Sequence, residues 1–226
     1  MSSRDDRALV VLSGGQDSTT CLYWALDRFG CANVSSITFD YGQKHRIELE
    51  CARKVAAAAG ISNVCLPIDT FAALGGDALT DTSIAVSDEA DEETELPVTF
   101  VAGRNLVFLT FAAAYAYRHA AKHIVTGVAQ TDYSGYPDCR EETIEALQQA
   151  LRLGMESDVQ IHTPLMHRSK RETVELARDL GALDAMALTH TCYNGERPPC
   201  RHCPACELRA KGFAEAGIED PLLEGT

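Results

Sequence analysis

The distribution of apolar residues predicts alternating strands and helices from the start of the chain. Residues 8–12 form a short run rich in Val and Leu, as in a buried parallel strand. Over residues 22–29, apolar side chains recur at helical spacing and give one face that can pack on a sheet. Two more strands are predicted at residues 34–39 and 64–68, with a helix between them that ends near Gly60. This βαβαβ start requires right-handed crossovers and a parallel sheet.

The pattern resumes after an irregular segment, residues 69–100. Within it, residues 87–95 form a dense acidic run, which we interpret as an exposed, mobile loop and not as a metal site. The later pattern predicts an apolar helix, a strand and two helices, at residues 106–117, 124–128, 141–153 and 170–180. We therefore expect an α/β fold with a Rossmann-like parallel sheet flanked by helices and ligand sites at the carboxyl ends of its strands.

Composition and charge narrow the class of protein. A hydrophobic content of 46% in 226 residues suits one substantial globular core. No apolar stretch approaches the roughly 20 residues that span a bilayer, and the start of the chain lacks the apolar run of a signal peptide, so we expect a cytoplasmic protein without a membrane partner. The net charge of −13 repels phosphodiester backbones, so no direct nucleic-acid partner is expected.

Residues 13–18 read Ser-Gly-Gly-Gln-Asp-Ser and lie between a predicted strand and a predicted helix. Glycines allow close backbone approach to a phosphate, and a helix N-terminus directs N–H groups toward it. The segment lacks the Gly-Lys-Ser/Thr ending of phosphoryl-transfer NTPases. A tight turn with Asp17 or Ser18 as helix N-cap is the alternative, but the strand before it and the consecutive polar residues favour an anion site.

Four of the nine cysteines form the cluster Cys192-x7-Cys200-x2-Cys203-x2-Cys206. Four thiolates at this spacing can surround a tetrahedral Zn²⁺, and an iron–sulfur cluster is the alternative. His190 and His202 can each replace one thiol. Because four Cys already complete the shell, we predict a structural zinc ion with no position for an activated water.

Polar segments are expected at the same sheet edge as the residue 13–18 loop. Residues 40–45 follow the second predicted strand, and Arg104, before a helix, can hold a phosphate or carboxylate bidentately. Residues 127–140 are rich in Tyr, Gly and Pro, as in a base-binding loop. Stacking faces and hydrogen-bond acceptors for a guanine-like base are offered by Tyr133, Tyr136, Asp132 and Asp138. For each of these residues, a turn, cap or surface role remains the alternative.

Six motifs in order carry a resemblance over nearly the whole chain. They are SGGQDSTTC at 13–21, FDYGQKH at 39–45, GRN at 103–105, DYSGYPDCR at 132–140, TPLM at 163–166, and TCYNG with CxxCxxC at 191–206. In this combination the chain resembles the 7-cyano-7-deazaguanine synthase (QueC) family of PP-loop ATP pyrophosphatases. The resemblance implies an ATP-dependent ligase that forms carbon–nitrogen bonds in queuosine biosynthesis. The implied substrates are ATP, 7-carboxy-7-deazaguanine and ammonia, and the implied route passes through an adenylated carboxylate and an amide to a nitrile.

With this resemblance we assign roles by position. ATP is assigned to Leu12, Ser13, Gly14, Gly15, Gln16, Asp17, Ser18, Thr19, Phe39, Tyr41, Gln43 and Gly127. Catalytic roles are assigned to Asp17, Ser18, Arg104 and Lys170. Substrate contacts are assigned to Arg104, Asn105, Asp132, Tyr133, Tyr136, Asp138, Cys139 and Arg140. Structural Zn²⁺ is assigned to Cys192, Cys200, Cys203 and Cys206, and Mg²⁺ is expected to accompany ATP.

Domain boundaries and rival functions complete these predictions. Residues 1–188 are expected to form the PP-loop ATP-binding α/β domain, and residues 189–226 a zinc-binding segment packed on the same core. A homodimer is left open. The rivals are a PP-loop enzyme that joins a deazaguanine carboxylate to a different amine, a tRNA-modifying PP-loop enzyme, which the negative charge disfavours, and a zinc-stabilised nucleotide-binding module without catalysis.

Overall fold

A computed structural model describes residues 7–87, 90, 94–130 and 136–223. In these residues the chain forms one five-stranded parallel sheet in the order β3-β2-β1-β4-β5. The strands are β1 (Ala8–Val11), β2 (Val34–Asp40), β3 (Asn63–Pro67), β4 (His123–Val125) and β5 (Gln160–His162). This confirms the predicted α/β class and the parallel sheet.

Helices in the described part of the chain connect successive strands, and three more follow β5. They are α1 (Gln16–Phe29), α2 (Ile47–Ala58), α3 (Thr70–Leu74), α4 (Arg104–Arg118), α5 (Glu141–Met155), α6 (Lys170–Asp179), α7 (Leu183–Met186) and α8 (Pro204–Ala216). None of them is long and apolar enough to cross a membrane.

Both faces of the sheet are buried, as expected for parallel strands. On one face, Leu9 of β1 and Ile124 of β4 pack with α4 residues such as Leu109. On the other face, Val10 of β1 packs with α1 and α2, for example through Leu22. The alternation of side chains along β1 therefore supplies two separate apolar layers, which hold the strand ends rigidly in place.

Two differences from the sequence pattern bear on the site. The fourth strand was predicted at residues 124–128, but β4 ends at Val125, and residues 126–129 line a cavity instead. The pattern also missed β5 and α8. The three residues of β5 are too few to show an alternation of apolar and polar positions. The start of α8 lies within the cysteine motif, whose spacing was interpreted as that of metal ligands.

Part of two predicted loops lies outside the described residues. These are residues 88–89 and 91–93 of the acidic run, and residues 131–135, which include Asp132 and Tyr133. The predicted mobility of the acidic run and the predicted base contacts of Asp132 and Tyr133 therefore stay predictions.

Helix α6, which begins at Lys170, starts with a capping box. The Ser169 hydroxyl accepts the Glu172 N–H at 3.3 Å, and the Glu172 carboxylate accepts the Ser169 N–H at 2.8 Å. We expect Ser169→Ala to lower the free energy of unfolding by about 1 kcal/mol because the cap acceptor is lost. Ser169→Asp keeps an acceptor and should recover most of the loss in urea denaturation. Equal stability of the Ala variant and the wild type would contradict this role.

Candidate active site at the carboxyl edge of the sheet

A cavity of about 230 Å³ opens where the strand order reverses, between β1 and its neighbours β2 and β4. Its walls include Leu12 and Ser13 after β1, Phe39 near the end of β2, and Thr126 and Gly127 after β4. The connection after β1 leads to β2 on one side, and the connection after β4 leads to β5 on the other side, so a crevice forms between them at the carboxyl ends of the strands. The cavity thus lies where the fold class predicts a ligand site.

The loop between β1 and α1 is held by its own serines. The Ser13 and Ser18 hydroxyls lie 3.0 Å apart, and Ser18 Oγ donates to the Gly15 carbonyl at 3.1 Å. Helix α1 begins at Gln16 with no side-chain cap, so its first N–H groups have no intrahelical acceptor. These N–H groups and the positive end of the helix dipole make the loop suited to an anion.

Asp17 and Lys170 form an ion pair beside this loop. Lys170 Nζ donates to Asp17 Oδ2 at 2.7 Å. The Lys170 side chain is 14% exposed and the Asp17 side chain is 29% exposed. The other carboxylate oxygen, Asp17 Oδ1, is buried and has no hydrogen-bond partner within the described residues. A buried, unsatisfied carboxylate oxygen is costly, so this atom is suited to an additional donor or a cation.

A second cavity of about 170 Å³ adjoins the first on the α6 side. The two share Ser13, Asp17, Ser18, Glu48 and Tyr193. Lys170 lines the second cavity, and so does Gln16, which is 4% exposed and whose amide atoms have no partner in the described part of the chain. Arg209 also lies there, but Asp220 holds it through two hydrogen bonds of 2.7 Å. Lys170 is therefore the cation best placed to meet an anion on the loop.

The inner wall of the first cavity is aromatic and carries one guanidinium. Phe39 and Phe108 stack with ring centroids 4.6 Å apart. Arg104 Nη1 donates to the Tyr41 hydroxyl at 3.2 Å, and the guanidinium lies 5.7 Å from the centre of the Tyr41 ring. An arginine stays protonated in such surroundings and can bind a carboxylate or phosphate bidentately. The wall combines an apolar surface for a flat ring with one fixed positive charge.

A hydrogen-bonded group under the loop contains Gln43, His45 and Glu48. Gln43 Nε2 donates to Glu48 Oε1 at 2.9 Å, and His45 Nε2 lies 3.4 Å from Glu48 Oε2. Burial raises the pKa of Glu48 to about 7, although Gln43 and Arg104 oppose the shift. Burial also lowers the pKa of His45 to about 3, helped by Arg104 and His190. His45 is therefore neutral near neutral pH, while Glu48 lies close to its midpoint.

The depressed pKa of His45 predicts a loss of stability in acid. The ordinary histidine pKa is 6.5, so between pH 6.5 and 3 the unfolded chain binds a proton that the folded protein does not. His45 therefore lowers stability as pH falls, by at most about 1.4 kcal/mol per pH unit. We expect the free energy of unfolding, measured with urea, to fall less for His45→Gln than for the wild type as the pH is lowered from 6.5 to 3. The exposed His167→Gln variant serves as control, and parallel pH curves for the wild type and His45→Gln would contradict this.

The structure brings most predicted site residues to these two cavities. The first is lined by Leu12, Ser13, Asp17, Ser18, Phe39, Tyr41, Arg104, Asn105, Gly127, Tyr136 and Cys139, and the second also by Gly15, Gln16 and Lys170. Gly14, Thr19, Gln43, Asp138 and Arg140 line neither.

Two of the residues outside the lining have structural contacts. Gln43 is buried and also bonds to the Tyr41 N–H and the Phe39 carbonyl, which fixes the turn after β2. Asp138 accepts the Asn105 N–H at 2.9 Å near the start of α4. Arg140 is exposed. Cys139 accepts a hydrogen bond from the Asn105 amide at 3.3 Å, as a packed thiol would.

Sequence reasoning gave no role to several residues that line the first cavity, namely His45, Glu48, Thr126 and Tyr193. His45 and Tyr193 belong to motifs that were recognised, and each directly follows polar residues of that motif. Glu48 lies in the first turn of α2, where an acidic residue looks like an ordinary helix-dipole partner. Only its burial distinguishes it from the exposed Glu50.

The four clustered cysteines converge in space. Their sulfur atoms all lie within 4.8 Å of one another, with Cys200 and Cys206 Sγ 3.9 Å apart. A tetrahedral zinc ion with Zn–S bonds of about 2.3 Å places its sulfurs about 3.8 Å apart, so the thiols can hold a metal ion such as Zn²⁺. Cys203 occupies the N-cap position of α8 without a side-chain capping bond, and the Cys206 hydrogen bond lowers the pKa of Cys203 to about 4. His202 is exposed, and His190 is buried against the Cys192 carbonyl.

The cysteine cluster connects directly to the cavities. The His190 N–H donates to the Gly14 carbonyl at 2.9 Å, so the segment before Cys192 is hydrogen-bonded to the loop between β1 and α1. Tyr193, the next residue after Cys192, reaches the junction of both cavities. Anchoring Cys192 thus fixes one wall of the site.

Comparison with known proteins identifies the family of this chain. The family model described as queuosine biosynthesis protein QueC matches residues 7–217. A 7-cyano-7-deazaguanine synthase of Chromobacterium violaceum is 70% identical over 97% of this chain and 94% of its own length. Synthases of the same name from Laribacter hongkongensis and Bradyrhizobium sp. ORS 278 are 65% and 52% identical, over 98% and 94% of this chain and 96% and 97% of their own. The chain belongs to the QueC family of queuosine biosynthesis proteins.

Proposed function

We propose that this protein is an ATP-dependent ligase that converts 7-carboxy-7-deazaguanine and ammonia to 7-cyano-7-deazaguanine for queuosine biosynthesis. The observation that carries the proposal is the 70% identity to a 7-cyano-7-deazaguanine synthase across almost the whole chain. An anion-binding loop beside an aromatic, Arg-containing wall supports it, since the reaction needs ATP phosphates next to a flat organic acid.

ATP is proposed to bind with its β- and γ-phosphates on the loop. The Ser13 and Ser18 hydroxyls and the first N–H groups of α1 would hold them, and Lys170 would neutralise their charge. Gly14 and Thr19 would shape the loop from behind. The nucleoside would lie against Leu12, Phe39, Tyr41 and Gly127, with Gln43 fixing the turn. This arrangement leaves the α-phosphorus at the junction of the two cavities, facing the inner wall.

The substrate acid is proposed to occupy the inner part of the first cavity. Arg104 would hold its carboxylate bidentately, oriented by Tyr41, and Asn105, Tyr136 and Cys139 would contact the ring. The carboxylate oxygen attacks the α-phosphorus and pyrophosphate leaves. Ammonia then displaces AMP and loses a proton to give the amide. The amide oxygen attacks the α-phosphorus of a second ATP, from which pyrophosphate leaves, and the nitrile forms when this oxygen departs as AMP and the nitrogen gives up its two protons to water. The protein contributes mainly positioning and charge neutralisation.

Two metal ions are part of the proposal. The buried and unsatisfied Asp17 Oδ1 fits a Mg²⁺ ion that accompanies the ATP phosphates and neutralises their charge. Cys192, Cys200, Cys203 and Cys206 fit a structural Zn²⁺. With its four sulfur ligands in place, this ion has no open position, so its contribution is to hold the wall formed by His190 and Tyr193.

The experiment incubates purified protein with ATP, MgCl₂, ammonium chloride and candidate acids, and follows AMP and the product mass. We expect AMP only with the deazaguanine acid, two AMP per nitrile, and an amide of intermediate mass at early times. AMP formation with an unrelated acid, or a product that contains a larger amine, would overturn the proposed substrate. Release of ADP in place of AMP would overturn the proposed chemistry.

A further inference from the structure

Glu48 is a carboxylate at the junction of the two cavities, and the mechanism above does not use it. The two carboxylates shared by both cavities are Asp17 and Glu48. Asp17 is neutralised by Lys170 at 2.7 Å, whereas Glu48 has no salt bridge to Lys or Arg among the described residues. The junction therefore holds one carboxyl group, that of Glu48, without a bonded Lys or Arg among the described residues.

The neighbours of Glu48 orient its carboxylate without protonating it. Gln43 Nε2 donates to Oε1 at 2.9 Å. His45 Nε2 lies 3.4 Å from Oε2, so in the tautomer that carries its proton on Nε2 the neutral ring directs an N–H group toward the carboxylate. His45 Nδ1 is buried and has no partner within the described chain. The Gln43 amide fixes one carboxylate oxygen, and the remaining lone pairs of Glu48 can accept protons from a ligand.

The proposed reaction requires such an acceptor. In neutral water, ammonia is present almost entirely as ammonium, which has no lone pair and cannot attack a carbonyl carbon. A buried carboxylate attracts this small cation and can also take one of its protons. The acceptor must lie beside the α-phosphorus, because the acyl carbon of the adenylate is bonded to it through one oxygen.

We propose that Glu48 is the general base that binds ammonium at the junction of the two cavities and removes the proton that masks its nucleophilic lone pair. This inference rests on the proposed function. The N–H bond breaks toward nitrogen, and the proton passes to Glu48. The freed lone pair forms the C–N bond, the C–O bond to phosphate breaks, and AMP leaves with the electron pair. The nitrogen, which is positively charged after the attack, loses a second proton to water, and the neutral amide results. Glu48 then releases its proton to water in the second cavity.

The electrostatic surroundings suit this role. Burial brings the Glu48 pKa to about 7, so the carboxylate is partly ionised at neutral pH and more basic than an exposed glutamate. The ionisable groups that face it from the surrounding elements are Asp17 of α1, Lys170 of α6, Arg104 of α4, Tyr41 and His45 between β2 and α2, and His190 and Tyr193 after α7. Arg104 favours the ionised carboxylate, and bound phosphates favour the protonated one.

The test separates adenylation from nitrogen capture in Glu48→Gln. Acid-dependent exchange of pyrophosphate into ATP needs no nitrogen and should continue close to the wild-type rate. Amide formation from ammonium chloride should fall by about 10²- to 10⁴-fold, the range for loss of a general base. Hydroxylamine is largely unprotonated at neutral pH, so hydroxamate formation should stay near the wild-type rate. Glu50→Gln, two residues away and exposed, is the matched control and should change neither reaction.

Each outcome decides the inference. Normal amide formation in Glu48→Gln would overturn it, and so would an equal loss of exchange, amide and hydroxamate, which would indicate a role in ATP binding or folding. Absence of exchange in the wild type would overturn the proposed function itself. If circular dichroism shows that Glu48→Gln does not fold, Glu48→Asp keeps the charge. It should reduce amide formation more than hydroxamate formation, and equal reduction of both would overturn the inference.

Discussion

Replacement of Cys203 by Ser is expected to unfold the segment from residue 190 to the end of α8 and to abolish activity. Loss of one ligand weakens a site whose occupation contributes on the order of 10 kcal/mol in comparable small zinc sites. The His190 bond to the Gly14 carbonyl and the position of Tyr193 depend on this segment, so the loop is disturbed as well. Circular dichroism, bound zinc by mass spectrometry and AMP release measure the three effects.

The control for this change is Cys65→Ser, at an exposed cysteine on β3 far along the chain from the cluster. We expect one zinc per chain and normal AMP release in this control. A Cys203→Ser variant that keeps its melting temperature and activity would show that the cluster neither binds a structural metal nor supports the site.

The second large effect is expected for Gly14→Ala. An added Cβ would lie 2.3 Å from the Glu48 carbonyl oxygen and 2.6 Å from the Ala52 nitrogen, and both are backbone atoms of α2. Gly14 also has a φ of +90°, which other residues rarely adopt. The loop or α2 must shift, at a cost of about 1 to 3 kcal/mol, and the displaced N–H groups no longer match the phosphates. We expect a loss of at least about 100-fold in acid-dependent pyrophosphate exchange, because small misplacements at a reacting centre have such effects.

Gly30→Ala is the matched control for backbone strain alone. Gly30 has a φ of +77°, but nothing lies within 4 Å of its added Cβ. The free energy of unfolding of this variant, measured with urea, should fall because alanine is strained at this positive φ. Its rate of pyrophosphate exchange should stay at the wild-type value. Equal exchange rates in the two variants would show that the close contact of Gly14 with α2 does not position the loop.

The sequence was sufficient to predict the fold class because periodicity and topology rules act together. The Val- and Leu-rich β1 and the helical spacing in α1 predicted one parallel unit, and the parallel direction of the strands then placed the ligand site at their carboxyl ends. The positions of Ser13 and of residues 40–45 near that edge followed from the ends of the first two strands, whereas Arg104 was selected for its charge before a helix. Spacing also predicted the convergence of Cys192 with the other three thiols.

The sequence did not predict properties that depend on burial. Glu48 and Glu50 are alike in sequence terms, since both lie in the first turn of α2. They differ because the turn faces the loop on one side and solvent on the other, which requires the packing of α2 against β1 and β2. The backbone contacts of Gln43 and Asp138 are similar cases, because the sequence does not show which backbone N–H group a polar side chain will bind.

The most direct measurement follows oxygen from the acid into AMP. The protein is incubated with ATP, ammonia and 7-carboxy-7-deazaguanine carrying ¹⁸O in both carboxylate oxygens, and the nucleotides are analysed by mass spectrometry. If the carboxylate and then the amide oxygen attack the α-phosphorus, each of two AMP molecules gains one ¹⁸O and the pyrophosphate stays unlabelled. Unlabelled AMP, or ADP with labelled orthophosphate, would contradict the placement of ATP on the loop after β1.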